Sequence, residues 1–149
     1  MKVYAESSAI LAWLFGEPSG QQVADVLESA NTIATSDLTL AECQRAIHRA
    51  VFTGDLSTTQ ANTLRADLAK TSAHWMVSRI NREILDRASR RFPVEPVRTF
   101  DAIHLATAIR ASRALPGMRI LTLDRRVTAN GLALGFDVLP AGGSTLLKR

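Results

Sequence analysis

Short β-prone runs alternate with amphipathic helical stretches along the 149 residues, and this alternation constrains the fold more than any other feature of the sequence. The predicted strands are residues 2–5, 32–35, 75–77, 119–123 and 137–139. Between them, apolar residues recur at helical spacing. Strands that alternate with helices pair in parallel, and the helices cover both faces of the resulting sheet. The sequence therefore predicts an α/β fold.

Capping residues, glycines and prolines mark the ends of the predicted helices. These helices are residues 9–15, a segment that ends at 28, and residues 40–52, 57–71, 82–92, 99–109 and 125–134. Ser7 or Ser8 is expected to cap the first helix, Thr99 can cap the sixth, and Ser57 with Gln60 forms a capping box. The helices at 40–52 and 57–71 are expected to form a hairpin.

Composition bounds the size and the compartment of the protein. With 46% hydrophobic residues, the chain is long enough for one domain with a substantial core, and residues 140–149 are predicted to form a loose tail. The longest apolar run, residues 9–15, is too short to cross a bilayer, and no signal-peptide cleavage site follows it. Cys43 is the only cysteine, which excludes an internal disulfide and a cysteine-based zinc site. We therefore expect a cytoplasmic protein without a membrane segment.

The charge of the chain is unevenly distributed. Residues 1–74 hold five Lys and Arg against eight Asp and Glu, whereas residues 75–149 hold thirteen against six. An Arg-rich half suits a phosphate-bearing partner, because the guanidinium fork pairs with phosphate oxygens. A solvated basic surface and a dock for an acidic protein remain alternatives. Aromatic residues make up only 5% of the chain, so a nucleic acid would be held mainly through its backbone.

Four carboxylates lie at or near the predicted ends of strands. Glu6 and Asp124 directly follow strands, Glu42 lies one turn into the helix after the second strand, and Asp101 lies in the first turn of the helix that precedes the fourth. In parallel sheets, functional groups gather beyond the carboxyl ends of the strands where the strand order reverses. If the first and fourth strands are neighbours, all four acids face one crevice.

Each acid also has a simpler structural role. Asp124 can cap the helix that begins at residue 125, Glu42 can pair with Arg45, and Glu6 and Asp101 can satisfy helix ends. His104 follows Asp101 on the same helix face and is expected to play a hydrogen-bonded packing role, with contact to the site as the alternative. The joint placement of the acids after separate strands favours a functional site over these separate roles.

Carboxylates that share one cleft repel each other unless a cation compensates them. Mg²⁺ prefers oxygen ligands and keeps several waters, which leaves room for a phosphate oxygen. It can polarise a phosphate and stabilise the leaving oxygen of an in-line displacement. Acids for a metal together with arginines for phosphates indicate a phosphodiesterase.

The same residues occur in motifs that resemble a known family, the PIN-domain ribonucleases of the VapC toxin group from prokaryotic toxin–antitoxin modules. The motifs are Glu6-Ser7-Ser8-Ala9, Glu42 in L-A-E-C, D-A-I-H-L-A-T-A at residues 101–108, and Thr122-x-Asp124 followed by Gly135 and Val138. The third motif is the most specific. Glu6 stands where the family usually has Asp, so its carboxylate reaches one methylene further.

The resemblance implies a three-layer α/β/α fold with a central parallel sheet of about five strands. It also implies a Mg²⁺- or Mn²⁺-dependent endoribonuclease that leaves 5′-phosphate and 3′-hydroxyl ends, forms a homodimer and is inhibited by an antitoxin protein. It places metal ligation on Glu6, Asp101 and Asp124, with Glu42 completing the catalytic set. Supporting positions are Ser8 and Thr122, and candidate RNA phosphate contacts are Arg98, Arg125 and Arg126.

Two other interpretations remain. A receiver-like signalling domain also gathers acids around Mg²⁺, but it needs a lysine near the last strand, and the only late lysine is Lys148. A catalytically weakened module that binds nucleic acid or protein is the stronger alternative, because of Glu6. The helix hairpin at 40–71 is the predicted surface for the dimer and the antitoxin.

Overall fold

The computed structural model describes residues 1–142. Of the predicted loose tail at 140–149, residues 143–149 lie outside the described residues. The elements in chain order are β1 (Lys2–Ala5), α1 (Ser7–Leu14), α2 (Gly20–Ser29), β2 (Thr32–Ser36), α3 (Asp37–Phe52), α4 (Thr58–Ser72), β3 (Met76–Ser78), α5 (Arg82–Ala88), α6 (Thr99–Ala114), β4 (Arg119–Leu121), α7 (Arg125–Ala133) and β5 (Val138–Leu139).

The strands form one parallel sheet in the order β3-β2-β1-β4-β5. In the central strand β1, Tyr4 is in register with Ala34 of β2 on one side and with Ile120 of β4 on the other. The first and fourth strands are thus neighbours, as the crevice prediction required. The chain adds strands in one direction from β1 to β3 and then in the other from β4 to β5, so the strand order reverses between β1 and β4.

Two apolar clusters cover the two faces of the sheet. Val3 and Ala5 of β1 point to a cluster that includes residues of α1, α2, α3 and α4. Tyr4, between them, points to the opposite cluster with residues of α6 and α7, because successive strand residues face opposite sides. The predicted three-layer α/β/α architecture is therefore confirmed. Within residues 1–142, no helix combines the length and the apolar character that a bilayer crossing requires.

Several predicted helix ends were wrong, for identifiable reasons. The N-cap of α1 is Glu6 instead of Ser7 or Ser8, because its carboxylate accepts the Ser8 backbone N–H. Helix α6 begins at Thr99 itself, and its N-cap, Arg98, makes no capping hydrogen bond through its side chain.

Two predicted elements are shorter than expected. Helix α5 ends at Ala88 instead of residue 92, because the chain leaves the helix to bury Phe92 in the core. Strand β4 ends at Leu121 instead of residue 123, since the hydroxyl of Thr122 accepts the N–H of Asp124 and turns the chain.

Close packing of α2 on α1 requires a glycine at the first position of α2. A Cβ atom at Gly20 would lie 2.5 Å from the carbonyl oxygen of Ala12. We expect Gly20→Ala to lower the free energy of unfolding by about 1–3 kcal/mol through overpacking, although alanine is the better helix former. Urea unfolding followed by tryptophan fluorescence measures the change. Gln21→Ala, at the exposed next position, is the control, and equal stability of the two variants would contradict the expectation.

Candidate active site

The predicted acids lie beyond the carboxyl ends of β1 and β4, where the strand order reverses. Glu6 follows β1 directly, and its backbone N–H donates to the carbonyl of Leu121 at the end of β4 (3.0 Å). Asp124 is the N-cap of α7 and lies three residues past β4. The candidate site is therefore built on the two adjacent central strands of the sheet.

The carboxylate of Glu6 is buried and fully hydrogen-bonded. The residue is only 3% exposed. Its Oε1 accepts from the Ser7 hydroxyl (2.6 Å) and the Ser8 backbone N–H (3.1 Å). Its Oε2 accepts from the hydroxyls of Ser8 and Thr122, the latter at 2.7 Å. These donors occupy about four lone-pair sites, which is the full capacity of a carboxylate.

Ser8 and Thr122 also fix the loop between β4 and α7. The hydroxyl of Ser8 accepts the backbone N–H of Leu123 (2.9 Å), and that of Thr122 accepts the backbone N–H of Asp124 (3.1 Å). The two hydroxyls that hold Glu6 thus also position Asp124.

Asp124 has the capping role that is its simpler explanation, and it keeps a second oxygen available. Its Oδ1 accepts the backbone N–H groups of Arg126 (2.8 Å) and Val127 (3.0 Å). Its Oδ2 accepts no hydrogen bond from the described part of the chain. The helix cap therefore orients the side chain without using its full coordinating capacity.

Asp101 lies in the first turn of α6 and is partly buried. Burial raises the pKa of its carboxyl group, and the negative charges of Asp124 and Glu6 raise it further. His104 and Arg98 act in the opposite direction. Asp101 thus lies within electrostatic reach of both other acids, which indicates a site where negative charge is crowded.

Glu42, on α3, is joined to this group through His104 of α6. The Nε2 atom of His104 lies 2.6 Å from Glu42 Oε1 and 3.7 Å from Glu6 Oε1. The predicted pairing of Glu42 with Arg45 does not occur among the described residues, where the ion-pair partner of Glu42 is His104.

The two ring nitrogens of His104 have different neighbours. An ionised carboxylate only accepts hydrogen bonds, so Nε2 donates to Glu42. The Nδ1 atom lies 3.0 Å from the Tyr4 hydroxyl oxygen. Burial raises the pKa of Tyr4, which keeps this hydroxyl protonated. His104, which is 1% exposed, therefore connects the core of the sheet to Glu42.

An open pocket of about 350 Å³ lies in front of this group. Its lining comprises Glu42, Arg98, Thr99, Phe100 and Asp101. Arg98 thus lies beside two of the acids. The other two predicted phosphate contacts, at the start of α7, are exposed and do not line the pocket.

The sequence prediction missed one residue of this site and named another only as an alternative. Phe100 is 55% exposed beside Asp101, and no local pattern marks an exposed aromatic ring as functional. His104 has the predicted hydrogen-bonded packing role and, as the alternative had it, also contacts two of the acids. Its position three residues after Asp101, on the same helix face, was a usable signal.

The donor set suits a hard divalent cation, because every candidate ligand atom is a carboxylate oxygen. Within residues 1–142, no three His, Cys, Asp or Glu side chains lie close enough together to hold one ion jointly. Mg²⁺ requires fewer protein ligands, since one or two carboxylates commonly suffice and waters complete the shell. Asp101 and Asp124 therefore fit as ligands. Direct ligation by Glu6, whose oxygens already accept four hydrogen bonds, stays a prediction.

Comparison with known proteins agrees with this architecture. The family model of the PIN domain matches residues 3–132. Ribonuclease VapC46 of Mycobacterium tuberculosis is 31% identical over 137 residues, which cover 92% of this chain and 95% of that protein.

Two solved structures share the fold. The crystal structure of Mycobacterium tuberculosis VapC20, described as a sarcin–ricin loop cleaving toxin, has a TM-score of 0.65 at 15% identity and covers 91% of this chain and 96% of that one. VapBC2 from Rickettsia felis, bound to a DNA fragment from its promoter, has a TM-score of 0.65 at 12% identity and covers 93% and 98%. With a family model across most of its length and a relative above 30% identity aligned almost end to end, the chain belongs to the PIN-domain family, in its VapC group.

Loss of the imidazole should destabilise the protein, because the ring joins the partly exposed Glu42 to the buried hydroxyl of Tyr4, which within residues 1–142 keeps only Ser36 as a partner. We expect His104→Leu to lower the free energy of unfolding by about 1–3 kcal/mol, since Glu42 and Tyr4 each lose a hydrogen bond. Urea unfolding measures the change. His48→Leu, at an exposed position of α3, should change it by less than about 0.5 kcal/mol. Similar losses in the two variants would show that the imidazole network contributes nothing.

Proposed function

We propose that the protein is the toxin of a type II toxin–antitoxin module and acts as a Mg²⁺-dependent endoribonuclease. The observation that carries the proposal is the crowding of Asp101, Asp124 and Glu6 at the strand-order reversal, where burial and mutual repulsion raise the pKa of Asp101. A site that keeps three carboxylates close together is suited to a divalent cation. The name of the relative VapC46, a ribonuclease, supports RNA as the substrate class.

Each residue would have a distinct role. Asp101 and Asp124 would hold Mg²⁺ or Mn²⁺, and Glu6 would add negative charge or a third ligand. When bound, the ion supplies charge stabilisation at the phosphate oxygens and lowers the pKa of water. Glu42, oriented by His104, would accept a proton at its free oxygen. Arg98 would pair with a phosphate of the RNA.

The substrate would enter through the open pocket between α3 and α6. Phe100 presents an exposed ring there on which a base can stack, next to the carboxylates. Arg125 and Arg126, exposed at the start of α7, would contact neighbouring phosphates.

The partners are proposed on the same basis. A cognate antitoxin is supported by the likeness to VapBC2, and the homodimer by the exposed Phe52 (87%) at the end of α3, in the helix hairpin. Both the RNA substrate and the antitoxin would place the protein in the cytoplasm. Residues 1–149 would form a single domain.

Removal of one ligand charge should slow the reaction strongly. We expect Asp101→Asn, which keeps the shape of the side chain, to slow Mg²⁺-dependent RNA cleavage by about a hundred-fold or more, because even outer-shell partners contribute 10- to 100-fold. Cleavage of a labelled RNA with Mg²⁺ and with EDTA measures the effect. Asp67→Asn, at an exposed position of α4, should leave the rate unchanged. Full activity of the Asp101 variant would exclude this mechanism.

The second candidate is a catalytically weakened binding module, which is favoured by the saturated hydrogen bonding of Glu6. Calorimetric titration with Mg²⁺ distinguishes it from the enzyme. For the enzyme we expect saturable binding that weakens strongly in Asp101→Asn and Asp124→Asn. Absence of binding in the unaltered protein would favour the module.

A further inference from the structure

A second charged pocket lies between α5 and α6, away from the carboxylates. It encloses about 90 Å³ and is lined by Glu83, Ile84, Arg87, Arg90, Ala106, Ile109, Arg110 and Arg113. Four of these residues are arginines and one is an acid, so the lining carries a formal charge of +3. Like charges this close together are unfavourable unless an anion offsets them.

Glu83 demonstrates how an anion fits between the arginines of α6. Its Oε2 lies 3.0 Å from Arg110 Nε, and its Oε1 lies 2.6 Å from Arg113 Nη1. The two guanidinium groups lower the pKa of this carboxyl group through hydrogen bonds and charge. One planar anion thus bridges two arginines, each through one oxygen.

The two arginines on the α5 side have no such partner. Among residues 1–142, no carboxylate forms an ion pair with Arg87 or Arg90. Arg87 is nevertheless held in place, since its guanidinium lies 4.2 Å from the ring centroid of Phe92 and donates to the carbonyl of Arg91. Its remaining donors are already oriented, which reduces the entropy cost of binding an anion.

We propose that this pocket binds a backbone phosphate of the RNA at a distance from the cleavage site. The pocket of about 90 Å³ has room for several waters and therefore for a phosphate-sized group. The guanidinium fork matches the two free oxygens of a phosphodiester. The inference rests on the proposed function.

The position on α6 favours a long polyanion over an acidic protein segment. Arg110 and Arg113 lie nine and twelve residues after Asp101, which corresponds to about 13 and 18 Å along the helix axis. A single RNA strand several nucleotides long can reach both the carboxylate site and the pocket. An acidic protein segment that bound only the pocket would not account for the position of both sites on α6.

The test is the binding of a labelled 20-nucleotide single-stranded RNA across a range of salt concentrations, with EDTA present to prevent cleavage. For Arg87→Gln with Arg90→Gln we expect about ten-fold weaker binding and a salt dependence shallower by about 0.7, since one fewer phosphate is neutralised. The single-turnover cleavage rate at saturating protein with Mg²⁺ should stay within about two-fold. Replacement of Arg87 also removes its contact with the Phe92 ring. Arg90→Gln alone, which leaves that contact in place, is therefore the second variant.

Charge-matched variants distinguish an effect of the pocket on RNA binding from an effect of net charge. Arg79→Gln with Arg82→Gln removes the same charge at exposed positions that do not line the pocket, and we expect little change in affinity. Glu83→Gln should tighten binding and steepen the salt dependence because it frees two arginines, whereas Asp86→Asn, on the same helix, should not.

Two results would overturn the inference while the proposed function stands. The first is an equal loss of RNA affinity in the pocket variants and in the control variants. The second is an unchanged RNA affinity in the pocket variants, which is also the result expected if an acidic protein binds the pocket. An unaltered protein that neither binds nor cleaves RNA would refute both.

Discussion

The burial of one carboxylate between β1 and α1 is the constraint on which the site depends. An ionised carboxylate as buried as Glu6 is tolerated only when donors or cations compensate it. Here the compensation comes from hydroxyls and a backbone amide at the start of α1 and from the hydroxyl of Thr122 after β4. The hydroxyls of Ser8 and Thr122, which donate to Glu6, also hold the loop that carries Asp124. The need to compensate the buried Glu6 therefore determines the geometry of both acids.

Helix α6 carries opposite charges at its two ends, and this polarity links the two pockets. Asp101 lies among acids in the first turn, whereas Arg110 and Arg113 lie near the last turn. A polyanion is attracted by one end and repelled by the other, and a divalent cation would remove the repulsion. The distribution of charge along this helix is therefore more informative about binding than the overall charge of +4.

Local patterns predicted the order of the elements well because periodicity and capping are encoded within a few residues. The capping box at Ser57 is present in the structure. The neighbouring placement of β1 and β4 was only a condition of the predicted crevice, and the sheet meets that condition. The ends of elements were less predictable, since tertiary contacts decide them. Phe92 leaves the helical path to join the core, and Glu6 displaces the serines as the cap of α1.

Strand–helix alternation is sufficient to predict a parallel α/β sheet with four acids at or near its strand ends, because it leaves few other topologies. The folded structure was needed to show that the oxygens of Glu6 are already hydrogen-bonded, that His104 orients Glu42, and that arginines of α5 and α6 share a pocket. Apart from the hydrogen bonds that Ser7 and Ser8 donate to Glu6, these contacts join residues far apart in the chain, such as Glu6 and Thr122 at a separation of 116 positions. Packing of the whole sheet and its helices creates such contacts, and no local pattern in the sequence encodes them.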